Sequence, residues 1–443
     1  MSNVITIKNC KVVNEGQILE KDILIQNGRF EKIAEEITSE GEIIDAAGLF
    51  LMPGIIDDQC HFREPGLTER GSIKTESLSA IAGGTTSFMD MPNVLPPTLN
   101  LDLWRDKINI GKQSASANFS FYMGTSNTNI DEIKAIDPKE VCGIKIFMGS
   151  STGDLHVDSD DALNDLFKES PVIITTHCED DPMIKAMEKQ FLAKYGEKIP
   201  VEMHSEIRSR EACLKSSKKA IELATRNNAN LHILHLTTKE EIELFSNKPI
   251  NEKMITAEVC VPHLYFSRDD YATKGTLIKC NPSIKEASDR DALRQALLDG
   301  YIDYVATDHA PHPLEGKSND YMTCPSGVPS VQHTLLVLLE LVREGIYSLN
   351  DLPYYLSHKV ADRFKIIDRG YIREGYWADC VLVDLERKYT VTKENTSYFC
   401  GWSPFEGDTF NSKVISTFVN GRHAYNEGCL LYTSPSPRDV EES

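Results

Sequence analysis

Short apolar runs recur along the chain at residues 55–59, 86–90, 119–123, 143–147, 172–176, 231–236, 255–259 and 304–307. Between them the hydrophobic positions take helical spacing, most clearly over 205–226, 289–298 and 330–344. Runs this short read as strands and the intervening segments as helices, so the pattern predicts eight alternating strand–helix units. A (β/α)8 barrel of the TIM type satisfies that count. An open doubly wound sheet is the alternative, but no Gly-x-Gly-x-x-Gly loop follows an early strand.

Both ends of the chain carry a different pattern. Asn27-Gly28 separates the apolar-rich stretches 22–26 and 29–33, and Asn420-Gly421 separates 414–419 and 422–425. Asn-Gly between such stretches predicts a hairpin closed by a two-residue turn at positive φ. Each end alone has too few strands for stability, so residues 1–52 and 371–428 are expected to combine into a small β-sandwich beside a barrel of residues 53–370. The segment Gly401-Trp402-Ser403-Pro404-Phe405-Glu406-Gly407 is expected to pack that domain. Residues 429–443, with Ser-Pro repeats at 434–437, fit neither strand nor helix. They resemble the translation of a sequencing adapter and read as an artefactual or flexible tail.

Composition narrows the function classes. A chain of 443 residues is long enough for one large barrel or two to three ordinary domains, and its 41% hydrophobic content suits a globular core. Its net charge of -20 argues against nucleic acid or an anionic membrane as partner, and an anionic substrate would need local cations. The eleven cysteines include no Cys-x-x-Cys pair, which fits reduced thiols in a cytoplasmic protein. The N-terminus lacks signal-peptide character, and nowhere do ~18 apolar residues run together.

Chemistry concentrates at the C-terminal ends of the predicted strands. Gln59 and His61 end the first, Asn93 follows the second, Lys145 lies inside the fourth, and His177, His235 and Asp308 end the fifth, sixth and eighth. In a barrel these ends converge on one mouth. Singly, each has a bland reading: a strand-end His is commonly a hydrogen-bonded core residue, and Asp308 would serve as a helix cap. Lys145 in a buried strand is costly unless neutralised or paired, and carboxylation to a metal-bridging carbamate is one escape. Together, the bland readings lose to a single shared site.

The motifs carry a resemblance. Pro53-Gly54-Ile55-Ile56-Asp57 leading into His61-Phe62-Arg63-Glu64-Pro65-Gly66, then Asp90-Met91-Pro92-Asn93, then Thr307-Asp308-His309-Ala310-Pro311-His312 resemble the signatures of the dihydroorotases of the amidohydrolase superfamily, in order and spacing. The resemblance spans about residues 4 to 428. It implies a zinc-dependent cyclic amidohydrolase of pyrimidine biosynthesis that interconverts dihydroorotate and carbamoyl aspartate, with one or two zinc ions per subunit. It also implies metal ligands at His61, His177, His235 and Asp308, a bridging carboxylated Lys145, and Asp308 as general base. Arg63, Asn93, Asn281 and His312 would hold the substrate. A homodimer, and association with aspartate transcarbamoylase, are further implications.

Gln59 stands where the family has its first ligating His. An amide oxygen is a weaker zinc ligand than imidazole, so one metal of the pair is expected to bind weakly. Pro262 likewise replaces the first of a His pair, and the loop Ser326-Gly327-Val328-Pro329-Ser330 matches the family's ring-contacting loop only loosely. Two rivals remain: an allantoinase or other cyclic amidohydrolase, which the guanidinium of Arg63 disfavours, and a non-catalytic homologue scaffolding aspartate transcarbamoylase. The ligand types retained disfavour the scaffold.

Overall fold

The computed structural model describes residues 4–38, 41–149 and 155–431. Parallel strands form the barrel in two arcs. Ile55–Cys60, Thr85–Asp90 and Asn118–Phe121 make the first; Met123–Gly124, Ile144–Phe147, Ile174–His177, Leu231–Ile233, Ile255–Cys260 and Tyr304–Ala306 make the second. The ring closes where His61 N–H donates to His309 O at 2.8 Å. The third strand, expected unbroken over 119–123, divides at Tyr122. Its first part pairs with the second strand, whereas Met123 N–H turns to Gly143 O at 3.1 Å. Ile56, Met89, Tyr122, Leu234 and Tyr304 form one buried cluster, and side chains from these separate strands can meet only inside the barrel.

Two helices differ from expectation because their residues serve the mouth. The helix anticipated over 205–226 is interrupted: His204–Ile207 ends at Arg208 (φ -97°, ψ 72°), and the Ser209 side chain caps Arg210–Asn227 by accepting from Ala212 N–H. The break lets Arg208 pair with Glu179. The helix anticipated from 330 begins at Thr334, since Ser330 Oγ donates to Thr307 O at 2.8 Å and Ser330 N–H to His309 Nδ1 at 3.0 Å.

Strands from both chain ends share one nine-stranded sheet. Phe50–Pro53 joins the halves, pairing parallel with Val4–Asn14 and antiparallel with Cys380–Asp384. Hydrogen bonding is therefore continuous across the domain, and the sheet folds so that strands of both halves face one buried core containing Ile5, Ile23, Leu51, Leu382 and Phe418. Both Asn-Gly turns are left-handed, at φ 53° and 79° for Asn27 and Gly28 and 49° and 68° for Asn420 and Gly421. The turns touch, because a Cβ on Gly421 would lie 2.7 Å from Gly28 Cα. Cys429–Leu430 pairs with Tyr425 and Asn426, so the sheet runs past the expected limit at 428; residues 432–443 lie outside the described residues. Trp402 does more than pack: its Nε1 donates to His312 O at 2.8 Å, bracing the barrel mouth.

A buried ion pair holds the first two strand ends together. Lys107 Nζ lies 2.6 Å from Asp90 Oδ2, both side chains at 0% exposure, and Asp90 Oδ1 accepts from Phe62 N–H at 2.6 Å. Lys107→Met removes one partner and leaves a buried carboxylate, which should cost about 3–5 kcal/mol. Urea denaturation at neutral pH checks this, and a loss under about 1 kcal/mol, the scale of an exposed pair, would contradict it.

Candidate metal centre

The mouth gathers the strand-end residues in two groups. At the seam, Gln59 Nε2 donates to Asp308 Oδ1 at 3.2 Å, and His61 Nε2 lies 3.2 Å from the same oxygen. His61 Nδ1 sits 2.7 Å from Asn93 Oδ1, and an amide oxygen can only accept, so the proton belongs on Nδ1. Burial lowers the pKa of His61 against the pull of Asp308, keeping the imidazole neutral. The Nε2 lone pair therefore faces a carboxylate oxygen.

The second group repeats the arrangement. His177 Nε2 lies 2.8 Å from Glu179 Oε2. Burial alone would raise the Glu179 carboxyl, but Arg208 and His177 outweigh it and hold it below the usual carboxylate range. An ionised carboxylate requires the proton on His177 Nε2, so Nδ1 presents a lone pair, 3.0 Å from His235 Nε2. His235 Nδ1 is buried with no hydrogen-bond partner among the described residues. Desolvation lowers both imidazoles, leaving them neutral. Neutral imidazoles at His61 and His177, each oriented by an outer hydrogen bond from one ring nitrogen and with the other nitrogen's lone pair free, beside His235 and the Asp308 carboxylate, fit a divalent cation such as zinc.

Lys145 stands among these groups, 1% exposed. Burial lowers its ammonium to about 8, with Asp308 and Glu258 opposing the fall. Near neutral pH a minor fraction, far larger than for an exposed lysine, is thus free amine, the form that reacts with carbon dioxide.

Arg63 and His312, expected from the sequence to hold substrate, meet each other. Arg63 is 6% exposed; its Nη2 approaches His312 Nε2 at 3.1 Å and its Nε donates to Pro311 O at 3.3 Å. No carboxylate among the described residues pairs with it. Desolvation pulls its pKa down to about 10, and burial with the Arg63 charge keeps His312 neutral. Asn281 Oδ1 is buried with no hydrogen-bond partner among the described residues. Arg63, His235 and Asp308 have φ of 71°, 40° and 45°, in the left-handed region that costs a non-glycine residue roughly 1–3 kcal/mol.

Sequence reasoning missed the layer beneath. Asp58, His232 and Glu258 are fully buried with ligand-type atoms all within 4.8 Å of one another, and Tyr304 Oη donates to Asp58 Oδ2 at 2.9 Å. Glu179 and Arg208 were missed too. The signals were present: a second carboxylate inside an apolar strand at Asp58, and a Glu two residues beyond a strand-end His.

The family comparison agrees with this geometry. The amidohydrolase family model matches residues 50–424. A dihydroorotase of Methanosarcina acetivorans is 31% identical over 91% of this chain and 88% of its own length. An allantoinase of Bacillus velezensis is 29% identical over 97% and 95%. The solved L-hydantoinase (dihydropyrimidinase) of Arthrobacter aurescens superimposes with a TM-score of 0.92 at 26% identity, covering 98% of both chains. A barrel of this fold, a mouth built of strand-end imidazoles and carboxylates, and these relatives agree: the chain belongs to the amidohydrolase family, enzymes hydrolysing cyclic amides.

Proposed function

We propose that this cyclic amidohydrolase is a dihydroorotase, closing carbamoyl aspartate to dihydroorotate, and reopening it, in pyrimidine biosynthesis. The observation that carries the reading is Arg63, a buried guanidinium with no acidic partner among the described residues. A buried cation without a counter-ion is costly, and a planar carboxylate engaging it through two parallel hydrogen bonds repays that cost. The dihydroorotate ring carries such a carboxylate; allantoin and hydantoin do not. Asn281 Oδ1 and the Asn93 amide nitrogen supply further polar contacts for the ring.

His61, His177, His235, Asp308 and a carboxylated Lys145 would hold one or two zinc ions. Bound zinc supplies an acidified water and a polarised carbonyl. Asp308 accepts the proton of the attacking water and returns it to the departing ring nitrogen. In the closing direction the same carboxylate takes the proton from the carbamoyl nitrogen as it attacks the side-chain carboxyl of carbamoyl aspartate, and returns it to the hydroxyl that then leaves that carbon as water. Asn93 holds the His61 tautomer and Glu179 that of His177, so neither imidazole reorients during turnover. The enzyme is taken as cytoplasmic and homodimeric on its resemblance to the family.

Dialysis against a chelator should abolish dihydroorotate hydrolysis, and zinc with bicarbonate should restore it. Restoration in carbon dioxide-free buffer should be lower, since carboxylation consumes free Lys145 amine. Undiminished activity after metal removal would overturn the reading.

A further inference from the structure

Asp308 holds a left-handed backbone at φ 45°, a strained conformation that the surrounding structure must fix in place. Both of its chain neighbours are clamped to buried carboxylates. On one side Thr307 donates to Asp57, by N–H at 3.1 Å and by Oγ1 at 2.6 Å. On the other, His309 Nε2 lies 2.8 Å from Glu76 Oε2, both side chains at 0% exposure. His309 Nδ1 accepts from Ser330 N–H at 3.0 Å, so the imidazole proton belongs on Nε2 and is donated to Glu76.

Glu76 lies on the helix Ile73–Ala82, which follows the first barrel strand. Its remaining donors are Thr75 Oγ1 at 2.9 Å and Phe399 N–H at 3.2 Å. The carboxylate is thus held by three donors, and the imidazole it receives is fixed at both nitrogens. Closing the barrel needs less than this: the carbonyl of residue 309 accepts the His61 N–H whatever side chain stands there. Among the described residues neither side chain of the pair bonds to a proposed metal ligand or substrate-side residue.

We propose that Glu76 and His309 are a positioning pair for Asp308, an inference that rests on the proton-transfer role proposed above for that carboxylate. By fixing the peptide that follows Asp308, the pair keeps its strained backbone from relaxing and its carboxylate aimed at the reacting atoms. The effect belongs to kcat rather than to substrate binding.

The test has two readouts on the full chain. In metal-free protein carrying isotopically labelled histidine, the nuclear magnetic resonance spectrum should show His309 as the Nε2–H tautomer, its signal displaced in Glu76→Gln and lost in His309→Gln. In zinc- and bicarbonate-reconstituted protein, Glu76→Leu should lower kcat for dihydroorotate roughly 10–10²-fold, the cost of misplacing a reacting group by about 1 Å, with KM within about twofold. Glu76→Gln, whose amide oxygen still accepts from His309 Nε2–H, should regain most of that loss, with circular dichroism as the folding control. An Nδ1–H tautomer at His309, unchanged kcat in folded Glu76→Leu, or equal losses in the Leu and Gln variants overturns the inference. A parent that turns over no dihydroorotate overturns the function reading instead, and the spectrum still decides the bond between Glu76 and His309. Should Glu76→Leu misfold, the conservative Gln variant and the parent spectrum carry the test.

Discussion

Asp308→Asn should lower kcat for dihydroorotate roughly 10²–10⁴-fold, the range general acid–base catalysis supplies. Asp308 lies at the seam where the first and eighth strands meet, its Oδ1 3.2 Å from both Gln59 Nε2 and His61 Nε2. Asparagine keeps the shape and tolerates the left-handed backbone at φ 45°, so the fold should survive. What disappears is an atom able to take and return a proton, in a residue that is itself one of the proposed metal ligands and contacts another, His61. Steady-state kinetics at saturating substrate, with circular dichroism as the folding control, measures it. A decrease below about tenfold would remove Asp308 from the proton-transfer role.

Arg63→Met should produce the second large effect, and its signature is selectivity. Two charge-assisted hydrogen bonds to a carboxylate are worth about 1.5–3 kcal/mol each, so kcat/KM for dihydroorotate should fall by at least about 10²-fold. Hydantoin, which has no carboxylate, should lose far less. The same substitution removes a desolvated cation that has no acidic partner among the described residues, so thermal stability should hold or rise, a trade-off expected at a functional site. Equal losses on both substrates would make Arg63 a structural residue.

The barrel was legible because strand-end polar residues interrupt apolar runs, and that contrast survives without tertiary information. The features left unread depend on where side chains point. The pairing register shifts between Asp57 and Cys60, so simple alternation does not say which face Asp58 or Gln59 occupies. Tyr122 is apolar enough to continue a strand, and nothing local shows that its two sides pair with different neighbours. Ser209 looked like one more polar position on a long helix, whereas it caps a second helix after Arg208 leaves to meet Glu179. Trp402 reaches His312 across 90 residues of sequence, a contact no local pattern encodes. The histidine tautomers follow from partners such as Asn93 and Glu179, known only once the strands close into a ring.

Turnover of dihydroorotate, allantoin and hydantoin, measured side by side on the zinc- and bicarbonate-reconstituted full chain, tests the central claim most directly. The account predicts the highest kcat/KM for dihydroorotate, with carbamoyl aspartate cyclised by the same preparation. Faster turnover of allantoin or hydantoin, or no turnover of dihydroorotate in either direction, would contradict it.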